Sequence, residues 1–379
     1  MKVFNPFFSI IVPCFNQAHF LDDCVGSVIR QGFTDWEMII VNDGSTDSTL
    51  EKAEGYSSRD PRIKIINKEN GGLSAARNTG IRSAQGNYLY FLDSDDFVLE
   101  NCLTSVYRSI KEQSKENDFY LIHCGYDHYS SDGKTVLNRV IPEFRESLIP
   151  MILKNNIGPP ISNFISKKVS EQIGFFDEGL KSVEDWDYWM RAAKAGARLI
   201  TIQEPLVAYR YVSNSMSRNA FTMYEALKEV TFRANKKDWR IVTDTPINVE
   251  RNLDLRPTLK RQILLCTGLS VTHGKVDDAV KLFQTESEAH QLNFDLLDYA
   301  LMCSYLNFRY WNTRPELETV IKQYIPQFRV FFASIGLDVR EQNKAISIVF
   351  ESIYKKWNHI KYGKLLGVLI NRIQFGRLG

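Results

Sequence analysis

Tyr88-Leu89-Tyr90-Phe91-Leu92-Asp93-Ser94-Asp95-Asp96 decides how this chain folds. Five consecutive apolar residues are the pattern of a strand buried on both faces. Three carboxylates straight after it cannot share that interior, so the strand must end there, at a polar edge. Upstream the arrangement repeats. Phe7–Val12 is apolar and leads into Pro13-Cys14-Phe15-Asn16; Trp36–Val41 leads into Asn42-Asp43-Gly44-Ser45; Ile63–Ile66 precedes the segment Asn70–Asn78. Between these runs Leu21, Cys24, Val25, Val28 and Ile29 recur at helical spacing. Asp47 is placed to cap a second helix, and Ser74–Ala84 reads as a third. Downstream, Leu99–Glu112 reads as a helix and Phe119–His123 as a fifth strand. Strand and helix in alternation predict βαβ units and a mostly parallel sheet with right-handed crossovers.

From 126 to 220 the pattern loosens. Tyr126–Val136 reads as a hairpin with Asp132-Gly133 at its turn, and Gly158-Pro159-Pro160 as a loop. Trp186–Ala195 reads as a helix stopped by Gly196, followed by short strands at Leu199–Ile202 and Leu206–Tyr211 and a polar stretch, Ser213–Asn219. After 221 only helices are predicted, over 222–236, 258–273, 276–290, 293–308, 315–333, 340–357 and about 361–375. The last sets Tyr362, Leu365, Leu366, Leu369, Ile370 and Ile373 on one face. Two domains are therefore expected: α/β over 1–220 and all-α over 221–379.

Composition excludes several classes. The 379 residues are 44% hydrophobic and 24% charged, which rules out wholesale disorder and a disulfide-framed miniprotein. The 47 basic and 45 acidic residues argue against a dedicated nucleic-acid binder. That balance is uneven, however. Residues 1–220 hold 24 Lys/Arg against 28 Asp/Glu, and the remainder 23 against 17. No acid follows Glu351, whereas Lys355, Lys356, Lys361, Lys364, Arg372 and Arg377 do. Six scattered cysteines with no CxxC pair read as reduced core thiols, pointing to a cytoplasmic protein. The N-terminal apolar stretch lacks the features of a signal peptide, and no apolar run is long enough to span a bilayer.

In an open α/β sheet, ligands bind beyond the carboxyl ends of the strands. The polar clusters after the first four strands should therefore meet. Asp93, Asp95 and Asp96 repel one another when desolvated and want a hard cation, Mg²⁺ or Mn²⁺, whose shell phosphates would complete; alternatively one of them caps the helix near Leu99. Asp43 can accept an N–H from a nucleobase or close an Asx turn. Arg77, among small neighbours, suits a phosphate or a base carbonyl, or is a surface helix arginine. Glu184-Asp185 before Trp186 offers a general base with its pKa raised by burial, or simply matches the helix dipole.

Taken together, these pieces resemble the family-2 glycosyltransferases of the GT-A fold. The resemblance rests on Phe8–Asn16, Val41–Asp47, Asn70–Asn78 and Phe91–Asp96, completed by Glu184-Asp185-Trp186. It covers about 7–220; the helical remainder resembles no family. It implies an inverting transferase using a nucleotide-sugar donor, UDP-linked foremost, with Mn²⁺ or Mg²⁺, in cell-surface polysaccharide or glycolipid synthesis. By position it implies Pro13 and Phe15 lining the base pocket, Asp43 on the base N–H, and Asn70 and Arg77 on base or phosphate. Asp93 and Ser94 would lie at the donor and Asp95 on the metal. Asp185 would be the base, with Glu184 beside it. Such enzymes often carry a histidine after the Tyr-Arg strand; Val212 stands near that place, leaving Arg210 or Arg218 as alternative sources of charge. A nucleotidyltransferase or a non-catalytic nucleotide-sugar-binding module is the rival reading. For the helical part, the basic segment 355–379 is expected to meet a membrane surface, or its apolar face to pack on preceding helices or on a second subunit as a homodimer.

Overall fold

The apolar runs become strands as the alternation requires. β1 (Phe8–Cys14), β2 (Trp36–Asp43), β3 (Ile63–Lys68) and β4 (Tyr88–Phe91) pair in the order β3-β2-β1-β4, all parallel. Every residue of β1, β2 and β4 is buried. The computed structural model describes residues 6–113, 119–143, 148–212, 219–303 and 313–375. Between the strands run α1 (Leu21–Ile29), α2 (Thr49–Ser57) and α3 (Leu73–Ser83), with α4 (Cys102–Gln113) after β5 (Phe97–Val98). The cap of α2 differs by one residue from expectation: Ser48 is at the N-cap, and Asp47 instead takes the Thr49 and Ala18 N–H groups. Gly80 lets α3 lie tight on β1, because a Cβ there would sit 2.3 Å from Ile11 Cγ2.

Beyond β4 the sheet is mixed. β6 (Tyr120–Tyr129) runs parallel to β9 (Arg198–Arg210), with β7 (Val136–Val140) antiparallel on β6. β8 (Asn163–Ser166) lies antiparallel between β4 and β6, and β5 antiparallel on β9. β8 is absent from the sequence reading: four residues after a Pro-Pro turn are too few to show a period. The two strands expected over 199–211 are one, with its register shifted where Gly125 faces Glu204; a Cβ at 125 would lie 2.8 Å from the Glu204 carbonyl oxygen. The Asp132-Gly133 turn forms as expected, Gly133 taking φ +70°. α5 (Leu148–Ile152), α6 (Lys167–Ile173) and α7 (Glu184–Lys194) complete this region.

The chain divides into two compact units, and not at a single point near 221. One is the chain up to Val212 together with Arg233–Asn252; the other is Ser213–Phe232 with Leu253 onward. The return of 233–252 is driven by charge: Lys194, wholly buried, donates to the Arg233 and Lys236 carbonyls, and Arg233 and Arg240 pair with Asp187. Within the second unit, the described residues contain helices and no strand: α8 (Ala220–Arg233, its last residue excepted), α9 (Arg256–Thr272), α10 (Val276–Ala289), α11 (Arg314–Ser334) and α12 (Val339–Phe375). The helix expected over 293–308 is a short 3₁₀ stretch, Asp298–Cys303; 304–308 and most of the Ser213–Asn219 stretch lie outside the described residues. The segments expected as two helices after 340 are one run interrupted at Gly363. No described helix is long and apolar enough to cross a membrane.

Candidate active site

The loops after β1 and β2 are stapled together. Asn16, in the left-handed region at φ 54°, receives the Thr46 N–H on its side chain, and its own N–H donates to Ser45 Oγ. Phe15 projects beside it, 47% exposed, while Pro13 is buried within β1. Asp43 closes β2. Its carboxylate accepts from Lys68 Nζ at 2.5 Å, Gly71 N at 3.0 Å and Gly72 N at 2.8 Å. It thereby fixes the Asn70–Gly72 turn and faces the N-terminus of α3, where a negative charge is favoured. Gly44 is required beside it: φ is +76°, and a Cβ would lie 2.8 Å from Asn70 N. Asn70 itself is exposed.

The acid run after β4 contains three carboxylates with three settings. Asp93 is paired with Arg77 at 2.7 Å. Asp96 is buried and accepts the Arg210 N–H at 2.7 Å, anchoring the end of β9; burial, then the charges of Asp95 and Asp93, push its pKa well up. It caps no helix. Asp95 enters no ion pair among the described residues, and burial followed by the Asp93 charge pushes it up to about 6. Ser94 is buried, its side chain hydrogen-bonded to the Cys14 thiol. Among the described residues no three His, Cys, Asp or Glu side chains converge. The donor set therefore fits a hard divalent ion held by one carboxylate and otherwise by water and phosphate, not an all-protein cage. Arg210, considered above as a source of charge, is committed: it donates to the Asp95 and Ser131 carbonyls and to Asp23. Arg218 lies outside the described residues.

The opposite wall is the start of α7. Val183, a β-branched residue in the left-handed region at φ 52°, turns the chain into this helix without a side-chain cap. Glu184, Asp185 and Asp187 follow in the first turn. Asp185 is nearly buried; its Oδ1 accepts from Trp186 N at 2.7 Å and its Oδ2 from Asn156 Nδ2 at 2.8 Å. Burial and the neighbouring Glu184 charge push it up to about 7, against the smaller pull of Asn156 and Arg77. Asn156 reaches it because α5 is fastened to α7 by the Trp186 indole N–H on the Ile152 carbonyl, at 2.6 Å.

Arg77 joins the two walls. It is 1% exposed; one terminal nitrogen donates to Asp93 Oδ1 and the other to Glu184 Oε1 at 2.5 Å, with the Phe176 ring 5.4 Å away. Burial opposes its charge, and the two carboxylates outweigh that and hold it on. Arg77 thus lies in the interior and brackets Asp93 and Glu184; it is not the surface helix arginine that the sequence left as the alternative. Beside it Asn78 ties α3 to the 176–178 loop.

The sequence reading named no residue for three of these tasks. Asn156 sits in a loop without periodicity. Lys68 closes β3, and nothing in the sequence singles it out. The guanidinium clamp on Asp187, from Arg191, Arg233 and Arg240, draws on residues up to 53 positions away. Asp177-Glu178 and Asp187 beside Trp186 were the only local hints.

The model of the family described as Glycosyl transferase family 2 matches residues 9–166. The glycosyltransferase EpsJ of Bacillus subtilis, itself uncharacterized, is 35% identical over 221 residues, 56% of this chain and 63% of EpsJ. The chain thus spans a little under two thirds of that relative. The putative teichuronic acid biosynthesis glycosyltransferase TuaG of the same organism is 32% identical over 240 residues, 63% of this chain and 88% of TuaG. Among solved structures, residues 1–349 of S. aureus TarS in complex with UDP-GlcNAc match with a TM-score of 0.50 at 17% identity, over 92% of this chain and 91% of that one. At that identity the likeness concerns the fold alone.

Proposed function

Because the chain belongs to glycosyltransferase family 2, we propose that it transfers a sugar, with inversion, from a nucleoside-diphosphate sugar to an acceptor hydroxyl. The observation that carries this reading is the Arg77 bracket: one guanidinium holds Asp93 of the donor-side loop and Glu184 beside the base. Asp185 takes the acceptor proton on a carboxylate oxygen. The acceptor oxygen attacks the anomeric carbon, and the bond to the diphosphate oxygen breaks with the electron pair leaving on the diphosphate. General-base assistance of this kind is worth roughly 10²–10⁴-fold. Asn156 orients the carboxylate, and Arg77 holds Glu184 in place beside it. A divalent cation at Asp95 would offset the negative charge on the leaving diphosphate.

The base is read by Asp43 and Lys68. An acceptor beside a donor complements the N–H/C=O edge of uracil, thymine or guanine, and opposes the corresponding edge of adenine or cytosine. TarS holds UDP-GlcNAc, which makes a UDP-sugar the first donor to try. Pro13, Phe15, Asn70 and Ser94 would border the same donor. TuaG's place in teichuronic acid biosynthesis supports a surface polysaccharide or glycolipid acceptor. A panel of UDP-, GDP-, dTDP-, CDP- and ADP-sugars with Mn²⁺ tests the reading. Nucleoside diphosphate release from a UDP-, dTDP- or GDP-sugar, lost in Asp185→Asn, is expected. Pyrophosphate release from a nucleoside triphosphate and a sugar phosphate would identify a nucleotidyltransferase instead, and donor binding without turnover a binding module.

A further inference from the structure

α12 is helical on both sides of Gly363, whose φ of 76° and ψ of 167° break it. Past the break the chain folds back on itself. Asn358 donates to Asn371 Oδ1 at 2.8 Å and to Gln374 Oε1 at 3.1 Å, and Asn371 donates to the Lys355 carbonyl at 3.3 Å. Gly367 lies buried in this seam, where a Cβ would stand 2.5 Å from His359 Cδ2 and 2.8 Å from His359 Cα. The hairpin closes on glycine and amides. Four large apolar side chains lie outside it: Tyr362, Leu366, Val368 and Leu369 are 46%, 50%, 38% and 53% exposed. One exposed leucine needs no account, but four such side chains within eight residues do.

Charge selects what covers them. Residues 352–379 contain four lysines and two arginines and no acid. A second copy of the chain would set this cationic segment against itself, since a two-fold interface pairs like with like. An anionic bilayer satisfies both properties at once. We propose that the 352–375 hairpin docks on an anionic lipid surface, with Leu366, Val368 and Leu369 at the acyl boundary and the net positive charge of the segment drawing it to the headgroups. Nothing in this inference depends on the reading of the active site.

Flotation of the full chain tests it, with vesicles of phosphatidylcholine plus phosphatidylglycerol against phosphatidylcholine alone. Binding to the mixed vesicles is expected, weakened about tenfold in high salt, where surface charge is screened. Leu366→Glu with Leu369→Glu should lower the partition by at least about tenfold. Lys364→Gln with Arg377→Gln, which leaves the apolar surface intact, should lower it by about fivefold per charge. Circular dichroism is expected to be unchanged, and so is hydrolysis of the donor in solution. A chain that stays with the buffer fraction, or that floats equally on both lipids, overturns the proposal. So does a dimer that Leu366→Glu with Leu369→Glu splits into monomers.

Discussion

Asp93–Asp96 and Glu184–Asp187 are two short acidic runs that look alike in one dimension and are built alike in three. Each commits one carboxylate to Arg77: Asp93 on one wall, Glu184 on the other. Each commits one to architecture: Asp96 to the Arg210 backbone, Asp187 to three guanidiniums. Each leaves one without a cation among the described residues, Asp95 and Asp185, and these two are the ones pushed upward by burial and a like-charged neighbour. The architectural pair diverges in charge. Asp187 is driven well below its ordinary value by its arginines, which override burial, whereas Asp96, with no guanidinium on its carboxylate, is driven well above. The two poised carboxylates thus share one setting, and under the proposed reaction they would differ in what they meet: a divalent cation at Asp95, the acceptor's proton at Asp185.

Four substitutions probe that contrast. Asp185→Asn should lower turnover by about 10³-fold, within the range for a lost general base, while calorimetry finds donor binding unchanged. Arg77→Met leaves two desolvated carboxylates unpaired, and should cost about 3–5 kcal/mol of stability in denaturant titration. A small loss there would mean the walls are not held by their bracket. Asp95→Ala should weaken donor binding about 10–100-fold in the presence of Mn²⁺ and leave metal-free binding unaltered; equal donor deficiency in Asp95→Ala and Asp185→Asn would dissolve the division of labour between the runs. Asn156→Ala has the smallest effect and the most specific signature. As the proposed base, Asp185 would work deprotonated, so kcat/KM should climb with pH and level off above about 7. Asn156 stabilises the charged form. Without it the acid limb should move up by about one pH unit, since a hydrogen bond to a charge is worth about 1.5–3 kcal/mol. Activity at pH 9 should barely change, which a merely structural defect would not allow.

Much of this was legible beforehand. Strands bounded by polar clusters are a local signal, and β1 to β4 with α1 and α3 fall within a residue or two of their predicted positions. The candidate acids were also visible, because a carboxylate run after an apolar strand has few structural uses. Their partners were not. Whether Asp185 or Asp187 is the poised one depends on Asn156 and on Arg233 and Arg240, which no spacing connects to α7. Whether Arg77 met a ligand or lay on the surface was open, because helix position says nothing about depth; Gly80 against Ile11 sets that depth, and only packing reveals it. The single boundary expected at 221 missed the return of 233–252 for the same reason, since that segment is held by ion pairs to α7 and has no regular element of its own.

The six cysteines have a practical consequence. All are buried and none forms a disulfide, and burial pushes the Cys14 and Cys124 thiols up to about 12. In the native state none is a ready target for maleimide, because the thiolate is the reactive form. A single cysteine introduced at Trp239, which is 88% exposed, would therefore be the one fast-labelling position on a wild-type background. A fluorophore there would follow the unit that carries Asp95 and Asp185 through donor titration without removing any native thiol.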